Sequence, residues 1–200
     1  LVMLVKRTVA GSTRYFLERL APAWADSQPV AEAYFVDCGL SILASGPTRE
    51  VAGLEHLEDC TLAVLADGSP VEGCVVRGGR IELPYAATLV QAGLPYQSVL
   101  SPLPIESNLG SGTTLTQSRA YGACTLRLYR SVGGQYGPSR TELYDLPFMP
   151  EHWAEAVQPF SGDLVCAPCG GWDNQTSIWL VQQRPLPFRI LALTLDITFA

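Results

Sequence analysis

The stretch Thr61–Tyr85, TLAVLADGSPVEGCVVRGGRIELPY, decides the fold. Thr61–Ala66 is a short apolar run, Asp67-Gly68-Ser69-Pro70 has the chemistry of a turn with positive φ at Gly68, and Val71–Arg77 reads as a second strand. Gly78-Gly79 turns the chain again. In Arg80–Leu83 the apolar Ile81 and Leu83 fall on one face and the charged Arg80 and Glu82 on the other, the period of two that marks a strand with one wet side. Three such strands make a meander, and Ala87–Ala92 adds a fourth. A meander this small has to close its single apolar face into a little barrel or lay it on a neighbouring sheet.

The same grammar extends outward. Upstream, Leu1–Val9 and Thr13–Leu20 form a hairpin about Ala10-Gly11-Ser12, with Lys6, Arg7, Arg14 and Arg19 expected to face outward. The opening LVMLV reads as a strand already under way, so the chain is expected to continue an upstream β domain. The charged Lys6 and Arg7 directly behind it speak against a leader peptide. Pro22–Ala33, PAWADSQPVAEA, is a surface loop with at most one helical turn, after which Tyr34-Phe35-Val36 is extended and Asp37-Cys38-Gly39 stops it. Downstream, Pro95, Pro102 and Pro104 make Leu94–Ile105 an extended connection instead of a central strand. Asn108–Gln117 is a polar loop. Ala123–Arg130 then carries the clearest alternation in the chain, Cys124, Leu126 and Leu128 against Thr125, Arg127 and Tyr129. Gly133-Gly134 turns it, Thr141–Tyr144 pairs back, and Leu164–Cys166, Ile178–Gln182 and Phe188–Phe199 are further strands. The last is apolar on both faces near its middle, which predicts a central position. Pro150–Gln158 can form two helical turns starting at its proline.

Composition agrees with that pattern. Only 16% of the 200 residues are charged, 48% are hydrophobic, and the 18 glycines and 15 prolines favour many short strands over long helices. The expected fold is all-β: antiparallel sheets in a sandwich-like arrangement with an inserted small β-barrel or meander, and little helix. Residues 1–50 are expected to continue an upstream β domain, 51–99 to form the barrel-like meander, and 100–200 to form an antiparallel β domain packing with 1–50. A net charge of −6, with basic residues scattered and only Lys6-Arg7 adjacent, argues against a protein that grips nucleic acid by neutralising phosphates. No apolar run reaches the roughly 18 residues that a membrane-spanning helix needs.

Residues that could carry chemistry have bland counterparts. Cys38, Cys60, Cys74, Cys124, Cys166 and Cys169 read as reduced thiols in a chain large enough to have a core. Cys166-Ala167-Pro168-Cys169 has the spacing of a redox pair or half a zinc site, but Gly170-Gly171 follows where a helix would have to start, and no second pair completes four ligands. His56 and His152 have no G-x-S-x-G nucleophile to serve and read as polar anchors or surface residues. Leu109-Gly110-Ser111-Gly112-Thr113-Thr114 lacks the lysine of a phosphate loop. Glu50, Glu55, Glu58 and Asp59 read as a solvated negative face. Trp153, Trp172, Trp179 and Tyr129 could form a sugar platform, although core and interface positions are the usual place for such side chains. The sequon Asn174-Gln175-Thr176 carries no weight without a secretory context. No catalytic, cofactor-binding or metal-binding residue is therefore assigned, no cofactor is expected, and an enzyme is not.

One resemblance is specific. Lys6-Arg7-Thr8, Arg14-Tyr15, Phe35–Leu40 (FVDCGL), Gly53–Glu58 (GLEHLE), Leu65–Gly68 (LADG), Ile81–Pro84 (IELP), Gly93–Tyr96 (GLPY), Leu126–Ser131 (LRLYRS) and Pro185-Leu186-Pro187 together resemble bacteriophage tail proteins of the nozzle, or tail tubular protein B, type. The meander from Val51 to about Tyr96 also looks like the small barrel known as the first catalytic-cysteine half-domain of ubiquitin-activating enzymes, a shape without a catalytic cysteine of its own. The resemblance implies a larger β-rich polypeptide, a hexameric homo-oligomeric ring joined to other tail proteins, and location in the virion tail, of phage or prophage, after assembly in the host cytoplasm. It also implies a passive role in genome ejection, with DNA passing transiently and without specific binding. An acidic channel wall suits that role, because it repels a polyanion. The alternative is a carbohydrate- or receptor-binding β module of a tail. Loops Gln28–Ala33 and Asn108–Arg119 are the expected inter-subunit contacts.

Overall fold

The computed structural model describes residues 1–105, 114, 117–146, 157–167, 170–174 and 177–200. Thirteen strands and two single 3-10 turns, Val30–Glu32 and Glu55–Leu57, make up the regular structure of those residues, and every strand pairing is antiparallel. The all-β expectation holds. The chain divides into two compact units, one built on Leu1–Tyr96 with Arg184–Pro187, the other on the described residues of Gln97–Met149, Pro159–Gln183 and Phe188–Ala200.

The first unit opens with a hairpin of β1 (Val2–Val9) and β2 (Ser12–Arg19), closed by a two-residue turn in which Ala10 and Gly11 both take positive φ, +48° and +78°. Turns of that hand match the twist of the paired strands. A four-stranded sheet follows, in the order β3 (Asp37–Ala52), β6 (Arg80–Leu94), β4 (Thr61–Ala66), β5 (Ser69–Val75). The expected strands Arg80–Leu83 and Ala87–Ala92 are one long strand, β6. Its first residues pair with the end of β3, and its later ones pair with both β3 and β4. The meander is therefore not sequential, because β4 lies between β5 and β6. Residues Val90, Gln91, Ala92 and Gly93 are buried in this doubly paired stretch, as an inner strand requires. Strand β3 stays in the sheet despite Pro47 because its register shifts between Leu43 and Thr48.

Among the described residues no sheet closes into a barrel. The apolar face of the meander is covered instead by Val9 and Phe16 of the hairpin and by Leu54 and Leu57 of the turn before β4, which join Leu62, Val64, Val71, Ile81, Leu83 and Val90 in one core. The loop Pro22–Ala33 contains the single 3-10 turn foreseen for it, and its Val30 and Ala33 are buried within the unit, so two of the six residues of the expected contact loop Gln28–Ala33 belong to the core.

The second unit holds two sheets. One runs β10 (Tyr144–Asp145), β9 (Gln135–Gly137), β12 (Trp179–Gln182), β7 (Ser98–Leu100), so the proline-rich connection supplies an edge strand. The other runs β11 (Phe160–Cys166), β8 (Arg119–Ser131), β13 (Ile190–Phe199). Cys124, Leu126 and Leu128 of β8 are buried as their alternation predicts. Strand β13 is an edge and not the central strand expected from its apolarity. Its register shifts between Ile190 and Ala192, which turns Leu191 out to solvent, while Leu193, Leu195, Ile197 and Phe199 stay half-buried on one face. The two-turn helix expected over Pro150–Gln158 lies largely outside the described residues, as does most of Asn108–Arg119.

Candidate functional site

A cleft in the first unit brings several of the singled-out residues together. It encloses about 1240 Å³ between the inner face of the β1–β2 hairpin, the segment leading into β3, and the start of β3 itself. Strand alternation builds its wall: Val5 and Phe16 are directly opposed across the hairpin, and Arg7 and Glu18 lie on the same face as that pair. Arg7 thus points inward, contrary to the outward position read from the sequence.

Arg7 is held by two carboxylates. Its Nε and Nη2 donate to Glu18 Oε1 and Oε2 at 2.6 and 2.8 Å, and its Nη1 and Nη2 donate to Asp37 Oδ2 and Oδ1, both at 2.6 Å. Both forks are bidentate, the geometry that makes arginine–carboxylate pairing strong and directional. Hydrogen bonding to Arg7 holds the Glu18 carboxyl below the ordinary carboxylate range. Tyr34 and Tyr96 also line the cleft, and burial followed by nearby acidic groups pushes both phenols up.

Cys38 and His56 meet at the same place. The Cys38 backbone takes φ +48°, and its N–H donates to Asp37 Oδ1 at 3.1 Å. His56 Nε2 lies 3.0 Å from the Cys38 carbonyl oxygen, which can only accept, so Nε2 carries the proton. The ring packs edge-on against Phe16 with centroids 6.3 Å apart. Cysteine, histidine and two carboxylates are thereby gathered, but their roles are not those of a nucleophile and its base. Burial, followed by the hydrogen bond to Glu18, pushes the Cys38 thiol up to about 12. A nucleophilic cysteine needs the opposite, a depressed pKa and a basic nitrogen facing the sulfur. What this arrangement does chemically is to tie the hairpin, the head of β3 and the turn at His56 together.

The other singled-out residues are dispersed. Glu50 is paired with Arg80 and Asp59 with Arg77, at exposed positions. Glu58 accepts the N–H groups of Gly78 and Gly79, both at 2.7 Å, and those bonds, Gly79's first, hold its pKa down. Glu50, Glu55 and Asp59 are exposed as expected, while Glu58 and Asp59 also hold the turn between β5 and β6. Cys60 is half-buried and Cys74 fully buried against the first unit's core. Cys166 ends β11 opposite Cys124, while Cys169 lies outside the described residues, as do His152, Trp153, Gln175, Thr176 and Leu109–Thr113. Trp172 is 56% exposed. Trp179 is half-buried with Nε1 donating to Ser177 Oγ at 3.1 Å, and Tyr129 lies under the Arg189 guanidinium. Among the described residues no three His, Cys, Asp or Glu side chains gather as a metal site would need. No helix of the described residues is long and apolar enough to cross a membrane.

Sequence reading passed over the Arg7 clamp and Trp24, whose buried indole donates to the Pro29 carbonyl at 3.0 Å and folds the loop beneath the cleft. The signal for Arg7 was present in the alternation, since it shares a face with Val5 and Val9 whereas Lys6 shares one with Leu4 and Thr8. No protein-family model matches the chain, and no curated protein matches its sequence.

Proposed function

We propose that the chain is a structural β module of a bacteriophage tail, of the nozzle or tail tubular type, acting as a subunit of a homo-oligomeric ring through which DNA passes during ejection. Its place is the virion tail, beside other tail proteins, after assembly in the host cytoplasm. It acts by packing and carries no catalytic role.

The observation that carries this reading is the outer face of the β1–β2 hairpin. Leu4 and Leu17 are directly opposed there and are 73% and 78% exposed, with Val2 and Tyr15 also open to solvent. A two-stranded ribbon whose apolar face and edges are uncovered among the described residues is the kind of surface that subunits bury on assembly. Charge adds direction, since the same outer face carries Lys6 and Arg19 and no acid, in a chain of net charge −6. A basic, apolar hairpin on one copy and an acidic surface on the next suit a head-to-tail contact, which closes into a ring when the rotation allows.

Light scattering on the purified chain tests this. A closed oligomer whose mass is a whole multiple of the 21.6 kDa chain is the expected result. A monomer at all concentrations overturns it, and so does a tight, salt-sensitive complex with duplex DNA, because a transit channel of this charge should not hold the polyanion.

Trp172 favours a second reading, a carbohydrate- or receptor-binding module of a tail. Its ring is largely exposed beside the Gly170-Gly171 turn, a position from which an indole can stack on a sugar. Glycan-array hits that vanish in Trp172→Ala would favour it over the ring.

A further inference from the structure

Two thiols meet across a strand pair in the second unit. Cys124 lies within β8, Cys166 is the last residue of β11, and the antiparallel register sets them directly opposite each other. Residues so placed have Cα atoms about 4.5 to 5.5 Å apart, within the roughly 4.4 to 6.8 Å that a disulfide spans. Both side chains face the same core and are 1% and 2% exposed, and both are in the thiol form. Leu126 and Leu164 form the next opposed pair on the same face, and Leu195 of β13 flanks Cys124 on its other side, so the sulfur atoms sit in apolar surroundings. The Cys124 side chain hydrogen-bonds to Cys166 and holds the Cys166 thiol below its ordinary value despite burial.

The two cysteines differ in how they can be reached. Among the described residues, strand β8 is held on both sides by β11 and β13, whereas β11 is an edge and Cys166 is its terminal residue. Fraying of an edge-strand end costs far less than global unfolding, so Cys166 is the sulfur that meets a reagent first.

We propose that Cys124 and Cys166 form a reversible cross-strand disulfide that staples the edge strand β11 to β8. The oxidant is a small-molecule disulfide. The Cys166 thiolate attacks one of its sulfurs, a protein–reagent S–S bond forms, the reagent's own S–S bond breaks, and one reagent thiolate leaves. Cys124, having given its proton to solvent, then attacks the Cys166 sulfur and expels the second reagent thiolate. The two protein thiols lose two electrons and two protons; the reagent disulfide takes up both electrons, and the protons pass through solvent to its two thiolates.

The test treats the native chain with oxidised glutathione, quenches with acid, and maps linkages by protease digestion and mass spectrometry. The expected product has lost two of its six thiols, carries a link between the peptides containing Cys124 and Cys166, and regains both thiols with dithiothreitol. Hydrogen exchange in Phe160–Cys166 should slow on oxidation and recover on reduction. The link should persist in Cys169→Ser and be absent in Cys166→Ser, a change at a strand end that is readily checked for folding. An unchanged thiol count overturns the proposal. So does a stable mixed disulfide with glutathione, a link from Cys166 to Cys169, or a Cys124–Cys166 link that leaves exchange in β11 unaltered.

Discussion

Arg7 stands between two carboxylates, Glu18 and Asp37, that its Nη2 touches together. Hydrogen bonds to charged groups contribute about 1.5 to 3 kcal/mol each when poorly solvated, so Arg7→Met should destabilise the chain by about 2 kcal/mol in urea unfolding. Much of that loss comes from leaving the acids to repel each other, and Glu18→Gln in the Arg7→Met background should therefore cost less than it does in the wild type. The pH dependence has a fixed sign. Glu18 has a lowered folded pKa, so its contribution is complete above the ordinary carboxylate range and fades as pH falls through the lower folded value; Arg7→Met should flatten that acid limb. The Cys38 thiol is shifted the other way, up to about 12. It should resist iodoacetamide at pH 8.5, where an unfolded chain's thiols are already ionising, and rapid labelling of Cys38 in the native chain would contradict the inert role assigned to it. This residue-level chemistry was half legible. Alternation in KRTV already distinguishes Arg7 from Lys6, but the pairing with Asp37 joins residues 30 apart, and no local pattern records that. The Cys124–Cys166 pair was hidden for the same reason: C-x-x-C spacing drew the eye to Cys169, whereas the sheet register supplies a partner from another strand.

Gly39 of β3 and Gly93 of β6 leave no room for a side chain between the two strands. A methyl group on Gly93 would lie 2.6 Å from the Asp37 carbonyl oxygen and 2.7 Å from Gly39 Cα; one on Gly39 would meet the Ala92 carbonyl oxygen and, at 2.7 Å, Val36 Cγ2. These neighbours are mostly backbone and cannot rotate aside. Gly93→Ala should therefore cost about 2 kcal/mol, within the usual range for overpacking, and lower the urea midpoint with little change in its slope. Gly46→Ala, in the same strand β3, meets nothing within 4 Å and should stay within about 0.5 kcal/mol of wild type. Equal effects of the two substitutions would mean that this contact does not set the register. Short strands bounded by turn residues, such as Thr61–Ala66 with Asp67-Gly68, were read correctly because the turn chemistry is local. Length and sheet position were not. Pro84 and the exposed Glu82 made β6 look like two strands, and the bulge that turns Leu191 outward made an edge strand look central. Strand order is a property of pairing between distant segments, so the insertion of β4 between β5 and β6 has no signature in the residues themselves.

For the molecule as a whole, the proposed ring rests on a surface whose exposure is at odds with its chemistry, and that gives a test separable from folding. Leu4 and Leu17 face solvent opposite each other, and neither belongs to the core that Val9 and Phe16 join from the hairpin's other face. Replacing both by lysine should lower the unfolding free energy of the monomer by no more than about 1 kcal/mol, because only the exposed Leu4–Leu17 cross-strand pair is lost within the chain. In an assembly that buries them, each leucine contributes about 2 kcal/mol, so the double substitution weakens each subunit contact by roughly 4 kcal/mol, about a thousandfold in the dissociation constant. Light scattering of Leu4→Lys/Leu17→Lys should then give a folded monomer at concentrations where the wild type is a closed oligomer. The added positive charge sharpens the distinction. If the hairpin met an acidic surface through charge alone, two more lysines would strengthen the contact and the assembly would persist; if the apolar face is the seat, the assembly dissociates even though the charge has become more favourable. A doubly substituted chain that is folded and keeps the wild-type mass moves the interface off the hairpin.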